Sequence, residues 1–403
     1  MLQFLILMKP DFLRTNILIT ILAVVCMPGC SRSPAKVSTS LNLNSAATYL
    51  DNRETWWTQW MGASRDHGTF CVSCHTALPY ALARPALRAA INDPTPTANE
   101  RALIDDVTKR VRLWKETEPY YSDEGYDPKT TESRGTESVL NALVLAIYNS
   151  QDMGLNDDTH AAFANMWAMQ KTAGEQKGSW DWLQFDQEPW EAKDSVYYGA
   201  CLAAIATGVA PAHYSSSPEI QSNLAALREY LKGHAGSQSM INRVFLLWAS
   251  TKMPGLLDAA GQRSMVQEVL NRQQEDGGWR LATIAWTWRR WDPKMLVKMW
   301  LREDGTPLSG ASDSVATGLI VYVLQEAGLP LDTPQLQKGM YWLRSNQMAD
   351  GNWPASSVNK RKHRSQNTRL FMNDAGTAFA VLALTEPQKR TNLVNSASTR
   401  DLR

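Results

Sequence analysis

The residues most able to do chemistry are Cys71, Cys74 and His75, in the run Thr69-Phe70-Cys71-Val72-Ser73-Cys74-His75-Thr76. Two thiols three residues apart can each form a thioether to a vinyl group of one porphyrin, and the adjacent imidazole can ligate its iron. One short turn must present both sulfurs and the imidazole to the same macrocycle, so the spacing is informative. The expectation is a covalent haem c, held by Cys71 and Cys74 and ligated by His75. A thioredoxin-type dithiol would need a βαβ surround that this chain lacks. Structural zinc needs four ligands, and beyond Cys30 only Cys201 remains in the mature chain. A surface disulfide between Cys71 and Cys74 is the other alternative.

The sixth iron ligand divides the possible functions, since a closed site favours electron transfer and an open one permits ligand binding or catalysis. No methionine lies between Met61 and Met153. The nearest later candidates are Met153, His160, Met166 and Met169; an open site and no haem at all are the other options. His67, in Asp66-His67-Gly68, reads as a turn residue.

Residues 46–130 read as a helical haem-bearing segment. Tyr49 to Met61 carries Trp56, Trp57 and Trp60, an amphipathic helix with an aromatic face. A helix, Gly62 and Phe70 before the cysteines resemble the approach to the haem of a cytochrome c domain. Leu78-Pro79 and Arg84-Pro85 suggest a loop folded against a ligand. Ala98 to Trp114 reads as a second helix.

The chain begins with Lys9 and Arg14, an apolar run Ile17 to Val25, and Met27-Pro28-Gly29-Cys30-Ser31. Met8 makes the better initiator. The run is too short to span a bilayer comfortably, and residues 1–29 resemble a bacterial lipoprotein signal, which implies lipidation at Cys30. An ordinary cleaved signal is the alternative. Residues 30–45 read as a tether. Export to the periplasm agrees with the haem motif, because c-type haem is attached outside the cytoplasm in the bacterial systems it resembles. The net charge of +1 disfavours nucleic acid, and 44% hydrophobic residues support a large core.

The rest of the chain is all-α and repetitive. Three loops share a pattern: Met169-Gln170 with Gly178-Ser179-Trp180, Gln273 to Gly277-Gly278-Trp279, and Gln347 to Gly351-Asn352-Trp353. Following helices are expected to open on Glu137, Asp194, Asp313 and Asp374, at intervals of 57, 119 and 61 residues. The double interval holds a fifth helix, Ser239 to Ser250. About five helical hairpins result.

These Gln…Gly-x-Trp loops resemble the QW repeats of squalene and hopene cyclases, in the α/α toroid family of terpenoid cyclases and protein prenyltransferases. The resemblance spans Glu100 to Leu384, a toroid over 100–385. It implies inner helices around a central cavity and outer helices facing solvent, and it is specific for fold more than for activity. Class II cyclases of this family protonate an alkene with an Asp-x-Asp-Asp cluster. Here the helix openings supply single carboxylates, Asp194, Asp313 and Asp374. Each is a weak catalytic or mouth-binding candidate, or a cap on free helix amides. The zinc cluster of prenyltransferases has no counterpart.

Trp286, Trp288 and Trp291, beside Arg289, Arg290 and Asp292, could line a site for an isoprenoid, quinone or sugar, or could be a packing seam. Lys360-Arg361-Lys362-His363-Arg364 is a solvated loop or a docking patch for anionic lipid or an acidic redox partner. Residues 386–403 read as a polar, disordered tail. The leading expectation is an exported haem protein, lipid-anchored to a bacterial membrane. It would transfer electrons to a partner protein or oxidise an apolar small molecule. A cyclase-like enzyme or isoprenoid-binding module without haem is second, and polysaccharide binding third.

Overall fold

The computed structural model describes residues 40–125, 127–149, 154–211, 214–285, 311–355, 357–359 and 367–400. The signal 1–29, Cys30, most of the tether, Met153, the cluster at 286–292 and the basic run 360–364 lie outside the described residues. The helices are α1 (Leu43–Gln59), α2 (Ala77–Ala90), α3 (Ala98–Arg112), α4 (Lys129–Asn149), α5 (Asp157–Ala168), α6 (Ser195–Val209) and α7 (Gln221–His234). They continue with α8 (Met240–Lys252), α9 (Ala259–Leu270), the single turn α10 (Leu281–Ile284), α11 (Ser314–Glu326), α12 (Pro334–Ser345) and α13 (Phe371–Arg400). Strand structure among the described residues is one antiparallel pair, β1 (Ser64–Arg65) and β2 (Thr69–Phe70), with Ser64 opposite Phe70.

Helices α2, α4, α6, α8, α11 and α13 pack in that order, and α13 returns to α2, closing a ring. Outside it lie α1, α3, α5, α7, α9 and α12, each against one or two ring helices. The sequence sets this division. In α6 every residue from Ser195 to Thr207 is buried, and in α11 every residue from Ser314 to Gln325. A helix apolar on all sides belongs inside. Outer helices bury one stripe only, as α3 does with Leu103, Asp106, Val107, Arg110 and Val111. Neighbouring ring helices run parallel. Thr76 before α2 meets Asp374 in the first turn of α13, and Asp194 before α6 meets Ser239 and Asn242 at the start of α8.

The three QW-like loops are built alike. Gln170, Gln273 and Gln347 each donate from Nε2 to a loop glycine carbonyl, that of Gly178, Gly277 or Gly351, at 3.0, 2.7 and 3.1 Å. Each also donates to a backbone carbonyl at the start of the next outer helix, from Asn223, Gln335 or Asn42. Trp180, Trp279 and Trp353 are fully buried, and their indole N–H groups donate to the last turns of the preceding outer helices. Gly351 has φ +93°, and a Cβ there would collide with the Ser45 carbonyl in α1. Gly351→Ala should therefore cost about 1–3 kcal/mol, read as a lowered urea midpoint; an unchanged midpoint would show that the loop can move off α1.

Among the described residues six outer and six inner helices make the ring, where the repeats suggested about five hairpins. The additional member is the segment read as a separate haem-bearing unit: α2 is itself a ring helix. No QW-like loop precedes α2, so its membership left no repeat signal. Pro79 and Pro85 lie inside α2 and not in a loop. Pro79 falls in the first turn, where no amide partner is needed. Glu137 does not open a helix, because α4 begins two turns earlier at Lys129. The final helix continues to Arg400, through most of the expected tail. No glycine follows Gly376 to end it.

Candidate functional site

The motif is presented by a tight ribbon and one capped turn. His67, at φ 54°, and Gly68, at φ 65°, turn the chain between β1 and β2, so His67 is a turn residue as its surroundings suggested. Arg110 of α3, fully buried, fastens this ribbon. Its guanidinium donates to Thr69 Oγ1 and the Glu118 carbonyl, both at 2.7 Å, and pairs with Glu137 and Asp66. The Phe70 amide donates to Asp106 Oδ1 at 2.8 Å and the Cys71 amide to the Ala63 carbonyl at 2.8 Å. Trp57 Nε1 donates to the Cys71 carbonyl at 2.7 Å. Ser73 Oγ accepts from the amides of Thr76 and Ala77, both at 3.1 Å, and so caps the turn that becomes α2. Cys74 and His75 thus sit on the hydrogen-bonded turn at the leading end of a ring helix, and Cys71 on the segment just before it.

Cys71 and Cys74 are free thiols, 6% and 5% exposed, so the pair lies buried and not on the surface. Burial pushes the Cys71 thiol up to about 12 against the pull of Arg65, and pushes Cys74 up as well. Glu191 lies near enough to disfavour both thiolates. The sulfurs are therefore neutral and apolar in their surroundings, unlike a reactive or zinc-binding thiolate. Among the described residues no group of three His, Cys, Asp or Glu side chains is placed to hold a metal ion.

His75 is half-buried against aromatic rings. Phe371 stacks on it at 3.7 Å between centroids and 21° between planes, and Trp57 meets it edge-on at 5.1 Å. Trp56 and Trp60 stack at 5.2 Å behind them. Its Nδ1 lies 3.0 Å from Thr76 Oγ1. Phe371 covers a face of the imidazole, whereas a metal approaches a ring nitrogen in the ring plane, so the stack is compatible with ligation.

The toroid resemblance implied a central cavity. Among the described residues, the middle of the ring is occupied by side chains. Tyr198 and Phe245 approach to 4.7 Å, and Phe245 of α8 reaches Phe379 of α13 at 6.5 Å, past the intervening α11. All three are 1–2% exposed. The fully buried Trp180, Trp182, Trp279 and Trp353 are likewise core side chains, leaving them no sugar-binding face. Two clefts of about 340 and 370 Å³ lie at Asp276 and Tyr341, and no residue of the motif lines them.

The three single aspartates do different things. Asp313 caps α11 by accepting from the Ala316 amide at 3.0 Å, and burial raises it to about 6. Asp194 makes no cap bond; it accepts from Ser239 Oγ at 2.9 Å and Asn242 Nδ2 at 3.2 Å, joining α6 to α8. Asp374, 1% exposed, accepts from Tyr49 Oη at 2.8 Å, Arg53 Nε at 2.7 Å, Arg53 Nη2 at 2.9 Å and Thr76 Oγ1 at 2.8 Å. Capping thus describes Asp313 alone; the other two tie neighbouring helices together. Their bonds fall on separate helix pairs and assemble no protonating cluster.

Sequence reading missed Phe371, Thr76, Arg53, Glu54 and Glu191. Glu54 carried a signal: it follows Ala46, Ala47 and Leu50 and precedes Trp57 on the buried stripe of α1. Two of the later ligand candidates have other neighbours. His160 faces Tyr214 at 6.2 Å, and Met166 is buried where its carbonyl receives Trp180.

The residues present fit a covalent haem. Two unbonded neutral thiols lie in apolar surroundings that suit a thioether sulfur, and an imidazole follows directly on the second of them.

No family model matches the chain, and no curated protein matches it. Solved structures similar to it include a wild-type glycosidase, 12% identical over 85% of this chain and 97% of that one, with a TM-score of 0.45. A possible GH105 family member from Klebsiella pneumoniae is 12% identical over 85% and 94% of the two chains, with a TM-score of 0.43. The type II terpene cyclase MstE from Scytonema is 13% identical over 86% and 99%, with a TM-score of 0.41. None of these likenesses assigns an activity.

Proposed function

We propose that this chain is an exported, lipid-anchored c-type haem protein, periplasmic and redox-active, whose helical ring is the scaffold for the haem turn. Cys71 and Cys74 hold the porphyrin, His75 ligates its iron, and Cys30 carries the lipid. The supporting observation is the capped turn that carries Cys74 and His75 at the leading end of α2, with Cys71 on the segment just before it and both sulfurs unbonded and neutral. The haem, when bound, supplies one-electron chemistry. Trp57 and Phe371 pack against the imidazole and keep water from its faces. Arg110 and Asp106 fix the ribbon that leads into the turn. The partner is a redox protein or an apolar small molecule, and nucleic acid is not expected.

Because the sulfurs are only 6% and 5% exposed, attachment has to precede closure of this end. Protein produced with a bacterial haem-attachment system should sediment with membranes and carry haem that survives a denaturing gel. Cys71→Ala/Cys74→Ala should carry none, and His75→Ala should keep the covalent band with an altered reduced-minus-oxidised spectrum. Haem added to folded protein should not attach. Wild-type protein without a covalent band after that co-production would end this reading.

A further inference from the structure

The Asp374 carboxylate stands two hydrogen bonds from the His75 ring. Thr76 Oγ1 is 2.8 Å from Asp374 Oδ2 and 3.0 Å from His75 Nδ1. The hydroxyl has one proton and two neighbours that could accept it. A bond to an ionised acceptor is roughly twice as strong as one between neutral groups. Thr76 therefore donates to the carboxylate and offers only a lone pair to the imidazole. Nδ1 must then carry the hydrogen, and in the neutral ring the lone pair falls to Nε2.

The far end of this relay is rigid. Arg53 grips Asp374 through Nε and Nη2, and Tyr49 donates to the same carboxylate. Arg53 is further fixed by the Asn367 carbonyl at 3.0 Å. The base of the relay sits on α1 and α13, whereas His75 and Thr76 precede α2, so three helices set one imidazole.

We infer that Thr76 and Asp374 are positioning residues for His75, holding the ring as its Nδ1–H tautomer so that Nε2 is the nitrogen offered to iron. The inference rests on the haem reading for its purpose but not for its geometry. A ligand histidine whose second nitrogen donates toward a carboxylate is a more basic ligand. More basic ligation favours the oxidised metal, so cutting the relay should raise the midpoint potential.

The test uses Thr76→Val, which removes the hydroxyl at nearly constant volume, and Thr76→Ser, which keeps it. In unloaded, nitrogen-15 histidine-labelled protein, subtraction of a His75→Ala spectrum isolates the His75 signals. Wild type and Thr76→Ser should show hydrogen on Nδ1, and Thr76→Val should shift the population toward hydrogen on Nε2. In haem-loaded protein Thr76→Val should shift the redox equilibrium about tenfold toward the reduced form, ~59 mV for one electron, with Thr76→Ser close to wild type. A merely structural hydroxyl would change the unfolding midpoint and leave the tautomer of the folded protein alone. Identical His75 spectra in wild type and Thr76→Val would overturn the relay. Absence of covalent haem in wild type would end the proposed function, while the tautomer result stood by itself.

Discussion

An Asp374→Ala variant should unfold with about 3–5 kcal/mol less stability than wild type, the usual cost of stranding one member of a buried ion pair. Asp374 is 1% exposed and Arg53 5% exposed, and the carboxylate takes both Arg53 Nε and Nη2. Burial pushes the Asp374 carboxyl up, and Arg53 pulls it back toward the ionised form. Without it, a guanidinium remains in a low-dielectric setting with the oxygens of Asn367 and the Trp56 ring as its partners among the described residues. Thr76 and Tyr49 lose their acceptor in the same stroke. The double variant Arg53→Met/Asp374→Leu should recover most of the loss, since apolar replacement of a whole buried pair is often neutral. Urea unfolding read at constant slope checks both. A loss below about 1 kcal/mol in the single variant would mean that water reaches Arg53 once the carboxylate is gone.

Glu54→Gln should flatten the pH dependence of stability between about pH 4.5 and 8. Glu54 is fully buried, both its carboxyl oxygens lack a hydrogen-bond partner, and burial raises it to about 8. Its charged surroundings make matters worse: Asp374 on α13, Asp106 on α3 and Asp51 on its own helix all oppose ionisation. Arg53 on the same helix is committed to Asp374, Arg84 on α2 to Asp51, and Arg88 on α2 to Glu100. The folded-state value lies above the unfolded one, so the folded chain holds a proton that the unfolded chain has lost. The stabilisation is complete below the unfolded value of 4.5 and falls by about 1.4 kcal/mol for each pH unit until the folded value is passed. Asp106, raised to about 7 by burial despite its bond from the Phe70 amide, slopes the same way and remains in the variant. Glutamine has no proton to lose, so the variant should gain on wild type as pH rises from 5 to 8.5. Parallel denaturation curves at the two pH values would show that Glu54 is hydrated in solution.

The helical ring was readable because its signals are local. The Gln, Gly and Trp of each loop sit within eleven residues of one another, and each glutamine bonds the glycine carbonyl of its own loop. The turn that carries Cys74 and His75 was readable for the same reason. What escaped was long-range. That α2 completes the ring depends on contacts with α13 nearly three hundred residues later. The role of Asp374 depends on Tyr49, Arg53 and Thr76, none of them near it in the chain. Phe371 carries no motif, and only the fold stacks it on His75. The filled middle of the ring was hidden too, because Tyr198, Phe245 and Phe379 lie on three helices that only the fold brings together.

The clasp between the first and last helices of the ring has a temporal side. Thr76 waits for a partner 298 residues downstream, and Asn42 for one 305 downstream. At roughly 5–20 residues per second of synthesis, that interval lasts on the order of 15–60 s. Until Asp374 arrives, the turn bearing Cys71 and Cys74 has no lid from α13. Chain order therefore makes this end of the ring the last to close, and α13 packs against α2 only when it arrives.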